Sequence, residues 1–309
     1  MKKWLIGLLV GIFLIIALVY VFIPNTMKFE STITVNATRP GLHRILLNKN
    51  STAIWWPGTI SNDSFYLNQF AYAINRNDIT VLPVTISGQN ITLTTSLFLI
   101  SIVTDSTQLV WTGSMATSYN PVRRILAYQK AKKIDRDINT ILQKISNYYN
   151  NPDNIYGFNI QQAYVADSLL IATSGISKGY PTIPFIYGLV AKLRNYINAR
   201  SAKESGYPML NVVTTDSINF EVKVAIPTNK LLPSDGSILQ KKMLGGGNIL
   251  TVEVTGGTEI TKQAFNQIQN YAEDYRRTSP AIPFYSLITD RTMEPDTNKW
   301  VTKIYYPVM

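Results

Sequence analysis

Leu193-Arg194-Asn195-Tyr196 recurs as Ile268-Gln269-Asn270-Tyr271, an offset of 75 residues. The same offset carries Pro208 onto Pro283, Met209 onto Phe284 and Thr214 onto Thr289. Beyond that strand it grows to 80, because the turn from Asp216 to Phe220 is shorter than the one from Asp290 to Trp300. Lys223 then meets Lys303, and Pro227 meets Pro307. A length difference confined to a turn is what a duplicated unit tolerates. Each copy reads as two strands, a helix and two further strands. Two such copies closing on one another predict a cleft along a pseudo-twofold axis, a default place for a ligand.

In the first copy the strands fall over 158–165, 168–174, 209–215 and 220–227, with a helix over 183–199 that carries Ile186, Leu189, Val190, Leu193 and Ile197 at helical spacing. In the second they fall over 238–244, 248–254, 283–290 and 299–308. Gly245-Gly246-Gly247 reads as a hairpin turn between the first two, and Thr258 as the cap of a helix running to Arg277. Strand alternation assigns the faces. Phe220, Val222, Val224 and Ile226 must meet the helices, which leaves Glu221, Lys223 and Ala225 on the opposite, cleft-facing side. The repeat transfers this pattern: Trp300, Thr302, Ile304 and Tyr306 face the helices, and Val301, Lys303 and Tyr305 face the cleft.

Phe284-Tyr285-Ser286-Leu287-Ile288-Thr289-Asp290, the strand Trp300-Val301-Thr302-Lys303-Ile304-Tyr305-Tyr306-Pro307-Val308 and its first-copy counterpart Phe220–Pro227 resemble the GyrI-like family, the AraC-type effector-binding domain, over residues 154–309. The resemblance implies an intramolecular dimer of strand-helix-strand-strand units flanking a cleft for small, often hydrophobic or cationic molecules, some members being hydrolases. The expected ligand-binding set is Glu221, Lys223, Tyr285, Val301, Lys303 and Tyr305. Lys303 departs from the family, whose cation-binding members often carry a glutamate there. A lysine at the cleft floor repels cations and favours an anionic or carbonyl-bearing ligand unless Glu221 neutralises it. The alternative is a cross-strand charge cluster of Glu221, Lys223 and Lys303 on a solvated face.

The chain opens on an uncharged run of twenty residues, Trp4 to Ile23, about 30 Å as a helix. It reads as an uncleaved, single-pass anchor within residues 1–27, with Lys2 and Lys3 holding the N-terminus in the cytoplasm and the remainder outside the cell membrane. From Phe29 to Val35 the pattern alternates, and a short helix follows over 39–47. Strands are expected over 65–74, 79–86, 91–103 and 108–117, and Pro121 opens a long helix with Ile134, Ile138, Ile141, Ile145 and Tyr148 along one face. That order, with Phe29–Ala37, Trp55-Trp56 and Thr107–Trp111 at their places in it, resembles the START-related, polyketide-cyclase-like (SRPBCC) superfamily over residues 28–148. The resemblance implies a sheet curled around the last helix to enclose an apolar cavity. Polar, turn-rich Asn150 to Asn154 marks a boundary, giving a 28–150 domain and a 151–309 domain, in an α+β chain.

Composition narrows the chemistry. With no cysteine and only His43, thiolate catalysis is excluded, and neither a metal site nor a cofactor is expected. No catalytic residue is assigned. The basic excess sits on residues 28–150, whose 12 basic and 6 acidic groups carry +6 of the chain's net +10, and no nucleic-acid motif accompanies it. The basic face of the long helix is solvated or touches lipid headgroups. Three classes of function follow. The first is a membrane-anchored protein holding a small apolar or amphipathic molecule in the GyrI-like cleft and in the START-like cavity. The second is a hydrolase pairing Glu221 or Glu253 with Tyr285 or Tyr305. The third is a structural envelope protein. Binding is the expectation, because the catalytic inventory is poor.

Overall fold

The computed structural model describes residues 2–61, 64–76 and 81–309. They form two compact units, Met1–Ile155 and Tyr156–Met309.

The first unit begins with helix α1 (Lys2–Phe22). Among the described residues no helix is long and apolar enough to cross a membrane. The anchor expected over residues 4–23 is therefore not established. Strand β1 (Thr26–Val35) leads into α2 (Arg39–Leu47) and α3 (Lys49–Trp55). Then come β2 (Thr59–Ser61), β3 (Ser64–Leu67), β4 (Phe70–Ile74), β5 (Val81–Gly88), β6 (Ile91–Val103) and β7 (Ser106–Ala116), before the long helix α4 (Pro121–Tyr149) and the single turn α5 (Asp153–Tyr156). The sheet is an antiparallel meander closed by its first strand, in the order β1-β7-β6-β5-β4-β3-β2. Asn120 starts α4: its side-chain oxygen accepts from the amides of Val122 and Arg123 at 3.1 Å, and Pro121 occupies a position where no amide is needed.

Two expectations for this unit are corrected. The strand expected over 65–74 is a hairpin, broken where Asn68 takes a left-handed φ of 52°. The side chain of Asn68 rewards that turn by donating to Asp137 of α4 at 2.6 Å. The start of the strand expected from Ile79 lies outside the described residues. The apolar cavity expected between sheet and helix is filled. Trp111, Tyr72, Phe65 and Phe70 are buried to 1 % or less, as are Ile134, Ile138, Ile141 and Ile145 of α4. Each such side chain contributes about 1.5–3 kcal/mol when removed from water. Asp137 is a buried acid in this core, accepting from Tyr72 Oη at 3.1 Å. Burial raises the pKa of both groups; at Tyr72 the Asp137 charge adds to it, and at Asp137 the hydrogen bonds from Asn68 and Tyr72 work against it.

The second unit contains β8 (Gln161–Tyr164), β9 (Ser168–Lys178), α6 (Ile183–Ala199), β10 (Met209–Thr214) and β11 (Asn219–Thr228). The repeat follows as β12 (Leu239–Met243), β13 (Asn248–Thr255), α7 (Thr258–Asp274), β14 (Phe284–Leu287) and β15 (Val301–Pro307). All eight strands join one sheet, β12-β9-β11-β10-β14-β15-β13-β8. Both helices cover one face of it. Val190, Leu193 and Ile197 of α6 pack on Ile171, Val222, Val224 and Ile226, and Ala264, Ile268 and Ala272 of α7 pack on Leu250, Val252 and Ile304.

The sheet order overturns the hairpin expected at Gly245–Gly247. β12 pairs with β9, and β13 with β15 and β8, so the first strand of each copy is exchanged into the other half. The two connections cross side by side. Val165 donates to the Gly247 carbonyl at 2.8 Å, Gly246 to the Val165 carbonyl at 2.9 Å and Gly245 to Asp167 Oδ1 at 3.0 Å. The glycines serve this crossing: Gly246 has φ +88°, and a Cβ on Gly245 would lie 3.0 Å from the Asp167 amide nitrogen. A second correction concerns α7, whose cap position is Gly257, with no side-chain hydrogen bond; Thr258 is the first helical residue.

Candidate functional site

A cavity of about 830 Å³ opens on the sheet face opposite the helices, between the two copies of the repeat. Its floor is made by Met209 of β10, Lys223 and Ala225 of β11, Phe284 of β14 and Pro307 of β15. The crossing connections, with Val165, Leu244, Gly246 and Gly247, and the segment Pro280–Ile282 form its walls. The space arises because the halves are filled unequally. Met209 and Ala225 are register partners in the first half. Their repeat counterparts, Phe284 and Tyr305, are register partners in the second, where the rings stack 4.8 Å apart at 12°. One half thus presents an aromatic wall and the other a methionine and a methyl group, and the missing ring volume is left as cavity.

The lining is mostly apolar, with polar groups at Lys223, Lys242, Asn211 and Asn248. Of the expected ligand-binding set, the lining takes only Lys223. Glu221 lies two residues away on the same strand face and pairs with it, Oε2 to Nζ 3.0 Å. Glu221 therefore answers Lys223 and not Lys303. Val301, Lys303 and Tyr305 lie on the same face of β15 but outside the lining; Lys303 Nζ sits 5.6 Å from the Tyr305 ring centroid. The Tyr305 hydroxyl is raised in pKa by burial and then by the charge of Glu253.

Tyr285 is on the other side of the sheet. Its register partner is Leu210, which is buried against the helices, and its ring packs on Phe265 of α7 at 5.7 Å between centroids. Burial, and then neighbouring Tyr180, push its hydroxyl up to about 12. The aromatic residue on the cleft side is Phe284, one position earlier. Neither glutamate nor tyrosine of the expected hydrolase pairs lines the cavity. Among the described residues no three His, Asp or Glu side chains gather as ligands for a metal ion.

Sequence reasoning missed Met209, Phe284 and the crossing connections. The signal for the first two was present in the repeat, which aligns Met209 with Phe284, and in Ala225 standing where the second copy has Tyr305. On the helix side the halves are tied by Arg194 of α6, which bridges Glu204 at 2.9 Å and Asp290 at 3.1 Å. Burial works to raise the Asp290 pKa, but hydrogen bonds from Thr292 and Arg194 outweigh it and hold the carboxyl below its ordinary value.

No protein-family model matches the chain, and no curated protein matches it. Among solved structures the chain is similar to EcmrR in a complex with DNA, at 16% identity and a TM-score of 0.45, over 62% of this chain and 72% of that one. It is similar to the EcmrR C-terminal domain at 15% identity and a TM-score of 0.41, over 49% of this chain and 98% of that domain. A hydrolase from Listeria innocua is similar at 8% identity and a TM-score of 0.38, over 49% and 92% of the two chains.

Proposed function

We propose that this chain is a membrane-anchored binding protein whose second unit holds a small apolar or amphipathic molecule. The observation that carries the reading is the cavity of about 830 Å³, built mainly from apolar side chains with a few polar groups. Ligand sites occupy roughly 300–1,000 Å³ and have this composition. Lys223 and Lys242 contribute positive charge to the lining, which favours a ligand with an anionic or carbonyl-bearing end over a cationic one. The motif resemblance to the GyrI-like family supports the same reading, with Lys223 in the charged role given to Lys303 on the sequence.

The anchor belongs to this proposal. Helix α1 has 21 residues, about 31 Å at 1.5 Å per residue. Trp4, Phe13, Val21 and Phe22 are each at least 70 % exposed. A continuous apolar surface of that extent is rarely left facing water. With Lys2 and Lys3 before the run, the positive-inside rule puts the two units on the outer side of the cell membrane. The strand order of the first unit supports its START-related assignment, with the interior serving as a packed core.

The test is native mass spectrometry of the full chain released from a lipid carrier. The reading expects an extra mass of a few hundred daltons, about the size that fills such a cavity. That mass should be lost when bulky side chains fill the space. A chain that carries no adduct and takes up none of a panel of apolar carboxylates, alcohols and amines contradicts it.

A further inference from the structure

Where α1 ends, the first unit grips it. The buried guanidinium of Arg124, in the first turns of α4, donates through Nε to the Ile23 carbonyl at 2.8 Å and through a second nitrogen to the same oxygen. It also lies 4.8 Å from the ring centroid of Tyr20. The Tyr20 hydroxyl donates to the Tyr119 carbonyl, and Thr117 Oγ1 donates to the Pro24 carbonyl at 2.8 Å. The exit of α1 and the start of α4 are therefore one fixed corner.

That corner is apolar on its outside. Tyr119, Val122 and Leu126 are 85 %, 65 % and 51 % exposed, and Ile125 joins them. Arg123 is exposed in the same two turns. An exposed apolar patch with a cation beside it is the arrangement that rests apolar side chains in the acyl boundary and the charge against lipid phosphate. Val21 and Phe22, the exposed apolar end of α1, lie in sequence between Tyr20 and Ile23, the two residues held by Tyr119 and Arg124.

We propose that the first two turns of α4, with Tyr119, dock on the bilayer that receives α1, and that the occupant of this face is anionic lipid. The inference rests on the membrane reading of α1 and extends it. Arg124 fixes the angle at which the unit meets the membrane, and the patch prevents it from swinging free. The opposite end of the sheet, the β6–β7 hairpin with exposed Ile102, points away, since β1 runs from its pairing with Ala116 at the α1 end to Thr107 at the other.

The absence of native cysteine makes single-site nitroxide labelling direct. Leu14→Cys, Val122→Cys, Leu126→Cys and Ile102→Cys chains, labelled and reconstituted into phosphatidylcholine vesicles with and without phosphatidylglycerol, are compared for relaxation by oxygen and by a water-soluble nickel chelate. All four positions are exposed, so the labels do not disturb packing. The proposal expects label 14 to be shielded from nickel and open to oxygen. Labels 122 and 126 should have several-fold lower nickel access than label 102, and lower still with phosphatidylglycerol. Label 14 in the bilayer with labels 122 and 126 as nickel-accessible as label 102 overturns the docking and leaves the anchor. Reduced access unaffected by phosphatidylglycerol overturns the anionic-lipid assignment. Label 14 exposed to nickel overturns the membrane reading and this inference with it.

Discussion

Leu210 and Tyr285 are related by the 75-residue repeat and are also each other's register partners across β10 and β14. A residue that pairs with its own repeat counterpart marks the symmetry axis, so the pseudo-twofold passes between these two side chains. Both lie on the helix side, where Tyr285 packs against the cores of both halves. The cavity flanks the same axis on the other face. There the counterparts differ most, Met209 against Phe284 and Ala225 against Tyr305. The axis thus carries a structural residue on one face of the sheet and an asymmetric vacancy on the other.

Tyr285 is accordingly expected to matter for stability and not for ligands. Tyr285→Ala should cost about 2–4 kcal/mol through the cavity it leaves, and Tyr285→Phe should leave ligand affinity unchanged. The hydroxyl has an ordinary pKa of 10.0, raised to about 12 in the fold. Its stabilising contribution is present below pH 10 and is lost as pH rises toward 12, because the unfolded chain ionises first. Alkaline denaturation followed by circular dichroism should therefore be shallower for Tyr285→Phe over pH 10–12. Identical alkaline profiles would remove Tyr285 from the core.

Asp137 gives the opposite end of the pH scale. Its pKa is raised above 3.8 by burial. The protonated acid is thus favoured in the fold, and the contribution present below that value is lost as pH rises through the folded pKa. Asp137→Asn keeps an acceptor for one of its two donors, Asn68, and turns an amide NH2 toward the Tyr72 hydroxyl oxygen, without the buried charge. Its stability relative to the parent should increase between pH 4 and pH 7. Asp137→Ala leaves the buried Tyr72 hydroxyl unpaired and should cost about 1–3 kcal/mol. Urea unfolding read by Trp55, Trp56 and Trp111, which all lie in the first unit, measures both. A relative stability of Asp137→Asn that does not change with pH would contradict the assignment.

Much of this architecture was legible because duplication and alternation are written locally. The helix at Ile183–Ala199 and the inward set Val222, Val224 and Ile226 follow from spacing alone. Pairing partners do not. Nothing within Leu239–Met243 distinguishes pairing with β13, its sequence neighbour, from pairing with β9, and Gly245–Gly247 suits a hairpin as well as it suits a crossing. Phe284 and Tyr285 are both aromatic in a strand of four residues, too short for alternation to decide the face, and register placed them. Asn68 reads as one polar position in a continuous strand, and nothing local shows that Asp137, 69 residues away, holds its side chain at a turn. Cavity residues were hidden for a further reason: Ala225 is a site residue by virtue of what it lacks.

The position of the charged floor separates two lysines that the repeat makes equivalent. Lys223 lines the cavity and Lys303 does not. Lys223→Gln should lower the preference for a carboxylate-headed over an amine-headed amphiphile of equal chain length by about two- to fivefold, the scale of a partly screened charge interaction. Lys303→Glu should leave that preference unchanged. Isothermal titration with the two amphiphiles decides it. A shift with Lys303→Glu and none with Lys223→Gln would return the floor to β15.

The most direct test of the binding site is to fill it with the ring its symmetry mate carries. Ala225→Tyr places on β11 the side chain that Tyr305 supplies on β15, in a strand context that tolerates tyrosine. Fluorescence titration of an apolar anionic dye into the parent chain should saturate at one site per molecule. Ala225→Tyr, with its unfolding transition intact, should bind at least about tenfold more weakly, a loss of about 1.4 kcal/mol. Undiminished dye affinity in a folded Ala225→Tyr chain would contradict the account.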